Sequence, residues 1–350
     1  MLSRVADSIY WMTRYIERAE NIARTLEVIQ HMSLDTSFPG GEQWKPLVET
    51  SGDEEEFAER YGEATAENVK RFLISDRDYA NSIISCLALA RENARTVRET
   101  ISQPMWEEIN KFYLFARDQA CGEGLTEHTL ETPAEFLKAV RLRSHMLHGL
   151  TNATMTHDDA FHVARLGRLI ERADKTTRIL DVKYFVLLPG GAEDVGTSLD
   201  VIQWRALLRS ASALQMYRRR YGRIRRNLVA EFLLLDNQFP RSVRSCLIEA
   251  EDSLHKVTGT PIGSYGNRSE QLLGQLRSEL DFTDIETVND RGLHQYIDSI
   301  QERIYRLGEA LYDDFFALRA DRGRRVGEMT QSAGSGRMSQ TMGGMSQTMG

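Results

Sequence analysis

Fourteen residues from Tyr15 to Val28, "YIERAENIARTLEV", return as "LIERADKTTRILDV" from Leu169 to Val182. The register has no gap. Ala6 meets Ala160, Arg14 meets Arg168, Glu17 meets Glu171, Arg18 meets Arg172 and Arg24 meets Arg178, each 154 positions on. A second block repeats at 160 positions. Gln43–Trp44 meets Gln203–Trp204, Arg60–Gly62 meets Arg220–Gly222, and "FLISDRDYANSIISCL" from Phe72 meets "FLLLDNQFPRSVRSCL" from Phe232. Within it Asp76, Ser82, Ser85, Cys86 and Leu87 each find an identical partner. The six extra residues fall around "LLPGGAEDVG", between Val182 and Trp204. Two colinear blocks of this quality read as a tandem duplication of about 155 residues. Two copies are too few for a solenoid, so equivalent helices are expected to meet across a pseudo-two-fold axis. The expected organisation is a first repeat over 1–155, a second over 156–325 and a disordered tail over 326–350.

The repeated unit is helical. Only 7 prolines interrupt the 350 residues, and 54–74, 79–102, 134–150 and 291–320 follow a 3.6-residue period rather than strand alternation. "TPAE" at Thr132–Glu135 has an N-cap, a proline at the first helical position and the glutamate of a capping box; "SGDE" at Ser51–Glu54 is a weaker version. Glycine- and proline-rich stretches such as "SFPGGEQ" and "TGTPIGSYGN" read as loops. The fold class expected is therefore all-α, two tandem helical bundles.

Helical spacing places Arg14, Glu17, Arg18, Asn21 and Arg24 within roughly a third of the circumference of the first repeated helix. Ile9, Met12, Ile16, Ala19, Ala23 and Leu26 face the other way. The second copy repeats the stripe with Arg168, Glu171, Arg172, Lys175 and Arg178. A solvated face of ion pairs, each giving a few tenths of a kcal/mol, explains one such helix. It explains the repetition poorly, because free surface drifts. The alternative is a seam in which Glu17 reaches Arg172 or Arg168 and Glu171 reaches Arg18 or Arg14, with an anionic ligand or an acidic segment in a groove beside it. A second basic row, Arg91, Arg95 and Arg98, shares one helix face; its forks suit carboxylate or phosphate groups if it lines a pocket.

The strings "MLSRVADSIYWMTRYIERAENIARTLEV", "ARENARTVRETIS" with the following "MWEEIN", and "FHVARLGRLIERADKTTRIL" resemble the alpha-E family, an all-helical domain named for its Glu-Arg motif and commonly duplicated. The resemblance spans about residues 1–320 and places the motif at Glu17-Arg18 and Glu171-Arg172. It implies a bacterial peptide synthesis or modification system. The partners it implies are a circularly permuted ATP-grasp ligase, a transglutaminase-like protein and an NTN-hydrolase peptidase. It implies no catalytic activity for the domain itself. The function expected is thus a non-catalytic accessory or scaffold. The alternative is an enzyme acting on peptide carboxylates, with Glu17 or Glu171 as general base and Arg18, Arg95 and Arg98 holding the anion.

Other chemistry is weakly supported. The net charge of −7 gives no global reason to expect nucleic acid, and no apolar run approaches the ~20 residues of a membrane span. "MLSRVADSIYWM" does not read as a secretory signal. Cys86, Cys121 and Cys246 lack CxxC spacing, which fits reduced thiols in the cytoplasm. His145, His148, His157 and His162 cluster with Asp158 and Asp159, but the first copy has no matching histidines, so no metal is expected. There is no GxxxxGK loop, and no cofactor is expected. In the tail "MSQTMGGMSQTMG" offers Gln340 and Gln347 as possible transglutaminase acceptors.

Overall fold

The computed structural model describes residues 1–35, 44–49, 51–121, 132–186 and 197–317, and among these the chain is helical without a strand. The tail with Gln340 and Gln347, and the side chain of Cys121, lie outside the described residues. Two long helices form the axis of the molecule, α1 (Ser3–Asp35) and α8 (Asp159–Val186). They carry the two copies of the repeated stretch. Around α1 come the short helices α2 (Lys45–Glu49), α3 (Glu54–Tyr61) and α4 (Ala66–Lys70), then α5 (Ile83–Thr96), α6 (Gln103–Cys121) and α7 (Pro133–Thr154). After α8 come α9 (Ser198–Ser210), α10 (Leu214–Tyr221), α11 (Arg226–Leu234), α12 (Val243–Thr258), α13 (Arg268–Phe282), α14 (Ile285–Arg291) and α15 (Leu293–Leu311). A single π-helical turn follows α4 at Arg71–Ser75, and another follows α15 at Tyr312–Phe316.

The packing repeats in kind. Helices α5 and α7 lie against α1, and α12 and α15 lie against α8, while α1 and α8 lie against each other. The apolar side chains expected to face inward from α1, including Ile9, Met12, Ile16, Ala19, Ala23 and Leu26, are all buried. One hydrophobic core runs through both halves. No described helix is long and apolar enough to cross a membrane.

The identical residues of the second sequence block make identical contacts. Asp76 Oδ1 accepts the backbone N–H groups of Asp78 and Tyr79, and Asp236 Oδ1 accepts those of Gln238 and Phe239. Ser82 Oγ donates to the carbonyl of Asp76 and caps α5 through the Ser85 N–H; Ser242 does the same for Asp236 and α12. Arg60 donates to the Asp76 carboxylate, and Arg220 to that of Asp236. The cysteines Cys86 and Cys246 are buried free thiols, each beside the turn's carbonyls. Each turn therefore satisfies its own backbone groups before the next helix starts.

Four sequence expectations need correction. The 54–74 stretch is not one helix: it stops at Tyr61, where Gly62 takes φ 68, just as Gly222 takes φ 72 after α10. The first residues of 79–102 belong to the Asp76–Ser82 turn, and Gly292 at φ 86 separates α14 from α15. The "SGDE" capping box does not form, because α3 starts only at Glu54 and Ser51 lies outside it, its hydroxyl donating to the Val48 carbonyl and accepting the Asp53 N–H. The Thr132–Glu135 box is present in full.

Contacts between α1 and α8 advance together, with Tyr10 and Thr13 against Gly167, then Arg14, Glu17 and Arg18 against Glu171 and Arg172. The helices therefore run parallel. They approach tightly at Gly167, where an added Cβ would lie 2.5 Å from the Tyr10 carbonyl oxygen and 2.8 Å from Thr13 Oγ1. Backbone cannot yield as a side-chain tip can. Gly167→Ala is expected to cost about 1–3 kcal/mol by forcing the helices apart, read as a lower urea midpoint in equilibrium unfolding.

Candidate functional site

The repeated charged stripe is buried between α1 and α8 rather than spread over a surface. It forms two clusters, each centred on the motif glutamate of one helix and gripped by at least one arginine of the other.

In the first cluster Glu171 is fully buried. Arg14 Nε donates to Oε2 at 2.8 Å, and Arg18 donates through Nε to Oε1 at 2.7 Å and through Nη2 to Oε2 at 3.1 Å. Arg18 Nη1 also donates to Asn81 Oδ1 at 2.7 Å. Aromatic faces hold the guanidiniums: Arg14 lies 4.8 Å from the Trp11 ring centroid and Arg18 lies 5.6 Å from that of Tyr15. Lys175 Nζ stands 3.7 Å from Glu171 and 3.0 Å from Asp174, which Arg178 also engages at 3.1 Å. Burial would raise the Glu171 pKa, but Arg18, Arg14 and Lys175 outweigh it and hold the carboxyl well below its usual range.

The second cluster is the counterpart with a different inventory. Arg172 grips Glu17 in a fork, Nε to Oε1 at 2.9 Å and Nη2 to Oε2 at 2.8 Å. Arg168, the alternative to Arg172 that the sequence offered for Glu17, makes no ion pair with it, and its buried Nε has no hydrogen-bond partner. Arg241 supplies the second arginine, donating to Glu17 Oε1 at 3.1 Å and also to Glu20. It comes from the Asp236–Ser242 turn, at the position that Asn81 holds in the first half. Glu20, fully buried, further accepts from Arg24 at 2.7 Å and from Ser144 Oγ at 2.6 Å, and lies 3.1 Å from His145 Nε2. Arg24 itself donates to the Ser210 carbonyl and the Ser212 hydroxyl, tying α1 to the end of α9.

Against burial, which alone would raise it, Arg172 and Arg241 lower Glu17 to about 2. His148 is pushed down to about 3 by burial and then by Arg168 and Arg172. It is therefore neutral in the folded chain, and its 3.4 Å approach to Glu17 is not an ion pair. Arg172 can only donate, which makes His148 Nδ1 the acceptor of the long 3.5 Å contact and leaves the proton on Nε2. Arg168 is lowered to about 10, by burial first and by Arg172 second.

Glu17, Glu20 and His148 place ligand-capable atoms within 4.8 Å of one another. A cation fits poorly there, since Arg172, Arg241 and Arg24 already occupy the carboxylate lone pairs and would repel it. Asp181, His294 and Asp298 form a second such group, with the ring of His294 bonded to Asp181 at 2.8 Å. His157 and His162 are away from both motif carboxylates, near the start of α8, where His157 stacks on Phe161.

Of the residues singled out in sequence, Arg14, Glu17, Arg18, Glu171 and Arg172 come together as ion pairs. Arg95 and Arg98 do not join them. Arg95 is exposed and pairs with Glu92, and Arg98 lies over the Trp106 ring. Arg91 donates to Asn110, and α5 ends at Thr96, so Arg98 does not share a helix with Arg91 and Arg95 as the spacing had suggested. The residues that sequence reasoning missed are Glu20, Asn81, Ser144 and Arg241. Glu20 carried a signal in its i,i+4 spacing to Arg24; Arg241 carried none, since the first half has asparagine there.

A cleft of about 820 Å³ opens beside the Glu171 cluster, between α1, α8 and α15. The buried positions of α7, Phe136, Leu137, Val140, Ser144 and Leu147, recur 160 positions on in α15 as Tyr296, Ile297, Ile300, Ile304 and Leu307. In that register Ser144, His145 and His148, which cover Glu20 and Glu17, correspond to Ile304, Tyr305 and Gly308. Gly308 leaves the space that His148 fills.

The Alpha-E family model, described as a predicted alpha-helical domain with a conserved ER motif, matches residues 1–316. An uncharacterized protein of Mycobacterium bovis and two of Mycobacterium tuberculosis are each 24% identical over 302 residues. The match takes in 79% of this chain and 32% of each relative, so the chain spans about a third of the length of the curated relatives it matches. No solved structure matches.

Two measurements test the clusters. In a double-mutant cycle Glu17→Gln and Arg172→Ala should couple by more than ~0.5 kcal/mol. Each single change should cost about 3–5 kcal/mol, because it strands a buried charge. Acid should destabilise the fold in two steps. Folded His148 stays neutral down to about 3, so the unfolded chain protonates first as pH falls through 6.5. The stabilisation from Glu17 is complete above its ordinary 4.5 and is lost as pH falls toward about 2. Thermal midpoints should therefore decline from pH 6.5 downward, and His148→Gln should flatten only the upper part of that curve.

Proposed function

Since this chain belongs to the Alpha-E family, we propose that it is a non-catalytic accessory or scaffold component of a bacterial peptide synthesis or modification system. It works in the cytoplasm beside a circularly permuted ATP-grasp ligase and a transglutaminase-like protein, with an NTN-hydrolase peptidase as a further partner. The observation that carries this reading is the saturation of the motif carboxylates. A general base needs an accessible lone pair and a pKa near the working pH. Glu17 and Glu171 are fully buried, already accept from arginine forks, and are held far below neutrality. The motif thus supports a rigid helical body rather than proton transfer. The length of the relatives supports an accessory role, because a matching segment there forms part of a much longer chain.

The second reading, an enzyme acting on peptide carboxylates, is favoured by the cleft beside Glu171, where Lys175 and Arg178 could hold an anion. Co-expression with the ATP-grasp and transglutaminase-like proteins of the same genome separates the two. The accessory reading expects a stoichiometric complex on size exclusion, and no turnover by this chain alone with ATP, amino acids and peptides. Turnover by the purified chain alone would refute it.

A further inference from the structure

Helices α3 and α10, 160 positions apart, share one scaffold and carry opposite charge. Each has eight residues, is preceded by a residue at positive φ (Gly52 and Ser212) and ends on a glycine at positive φ (Gly62 and Gly222). Phe57 and Tyr217 anchor them against Phe72 and Phe232, at ring distances of 5.2 and 5.7 Å. Between 50 and 70 the chain has seven acidic residues against one arginine and one lysine; between 210 and 230 it has six arginines and no acid. The helix dipole favours Glu54, Glu55 and Glu56 at the start of α3, and Arg218, Arg219 and Arg220 at the end of α10. It does not account for the rest. Glu59 stands in the last turn of α3, and Arg225 and Arg226 stand at the N-cap and first residue of α11, each at the wrong end for its charge. The first half has Thr65 at the matching N-cap, accepting the Asn68 N–H, whereas the Arg225 side chain makes no cap. A charge stands where local stability asks for a capping oxygen.

These charges are also unmet. Arg218, Arg219, Arg223 and Arg225 are exposed, Arg226 is half-buried, and none of them has an ion pair among the described residues. Glu55, Glu59, Glu63 and Glu67 are exposed and likewise have none. Glu55 and Glu59, one helical turn apart, repel each other. Each face is stabilised by a surface of the opposite sign, and the chain carries both signs. We infer that the basic 218–226 face docks on the acidic 55–67 face of a second copy of this chain. A nucleic acid would meet the arginines and leave the glutamates as they are, whereas a second copy meets both. The net charge of −7 also repels a polyanion at long range. Because the two faces differ, the contact is either reciprocated within a dimer or extended from copy to copy. Exposed ion pairs contribute little each and are screened by salt, so the contact is weak and strongest at low ionic strength.

The contact does not depend on the ligase partnership, and the purified full chain suffices to test it. Sedimentation equilibrium at about 0.1 mM chain should give more than one chain's mass at ~0.01 M salt, where the screening length is ~30 Å. At ~1 M salt, where that length is ~3 Å, it should give the mass of one chain. Arg219→Glu with Arg223→Glu, and separately Glu59→Arg with Glu63→Arg, should each sediment as monomers at low salt. Both should keep the wild-type thermal midpoint, since all four positions are exposed. An equimolar mixture of the two variants should associate again, because each retains the face that the other has lost. Misfolding of either variant does not produce that recovery. Association that survives ~1 M salt, association of either variant alone at wild-type strength, or a mixture that stays monomeric would each overturn the proposal. A wild-type monomer at low salt overturns it as well, and heparin binding by that monomer would assign the basic face to a polyanion instead.

Discussion

Two carboxylates buried in the middle of a helical molecule require two things at once, charge compensation and full hydrogen bonding. Glu17 and Glu171 obtain both only because α1 and α8 lie side by side in one register, so that each carboxylate meets arginine from the other helix. A slip of one residue would turn these side chains by about 100° and leave the charges stranded. The clusters need not add much net stability, since desolvation offsets most of the Coulomb gain. What they contribute is a penalty on every other alignment of the two halves. Gly167 acts on the same contact from the steric side, by admitting the α1 backbone closely enough for the arginines to reach.

The two clusters share an arrangement and differ in what surrounds it. Each has a motif glutamate, a forked arginine from the other helix and a side chain delivered by the Asp–Ser turn. In one half that side chain is Asn81, which accepts from Arg18; in the other it is Arg241, which donates to Glu17 and Glu20. With Arg241 in place, Arg168 makes no ion pair with Glu17. The cluster it joins is sealed by α7, whereas the Asn81 cluster is open toward α15. A sealed cluster and an open one thus lie on the two sides of one seam.

Much of this was legible in the residues. Period 3.6, the Thr132 capping box and the ungapped repeat at 154 positions pointed to helices, and the paired Glu-Arg stretches pointed to α1 meeting α8. Asp76 and Asp236 were visible as an identical pair, but that they build turns by accepting local backbone N–H groups is a feature of the folded structure. The legible features are local, or are written twice in the chain, and local geometry follows from residue type and spacing.

Other choices depended on distance in space rather than along the chain. Sequence offered Arg172 or Arg168 for Glu17, and only packing selected Arg172 and Arg241, because reach and crowding at the seam decide which guanidinium fits. Arg95 and Arg98 have the same chemistry as Arg14 and Arg18, yet α5 turns Arg95 toward solvent and Arg98 lies exposed in the turn after it. Glu20 is buried and saturated while Glu309, on a comparable helix, faces an open cleft. The chain determined by itself that two charged helices must find each other, since each lacks what the other carries. The tertiary structure decided which charges are spent on that union and which remain available, because burial belongs to the assembled helices and to no single one.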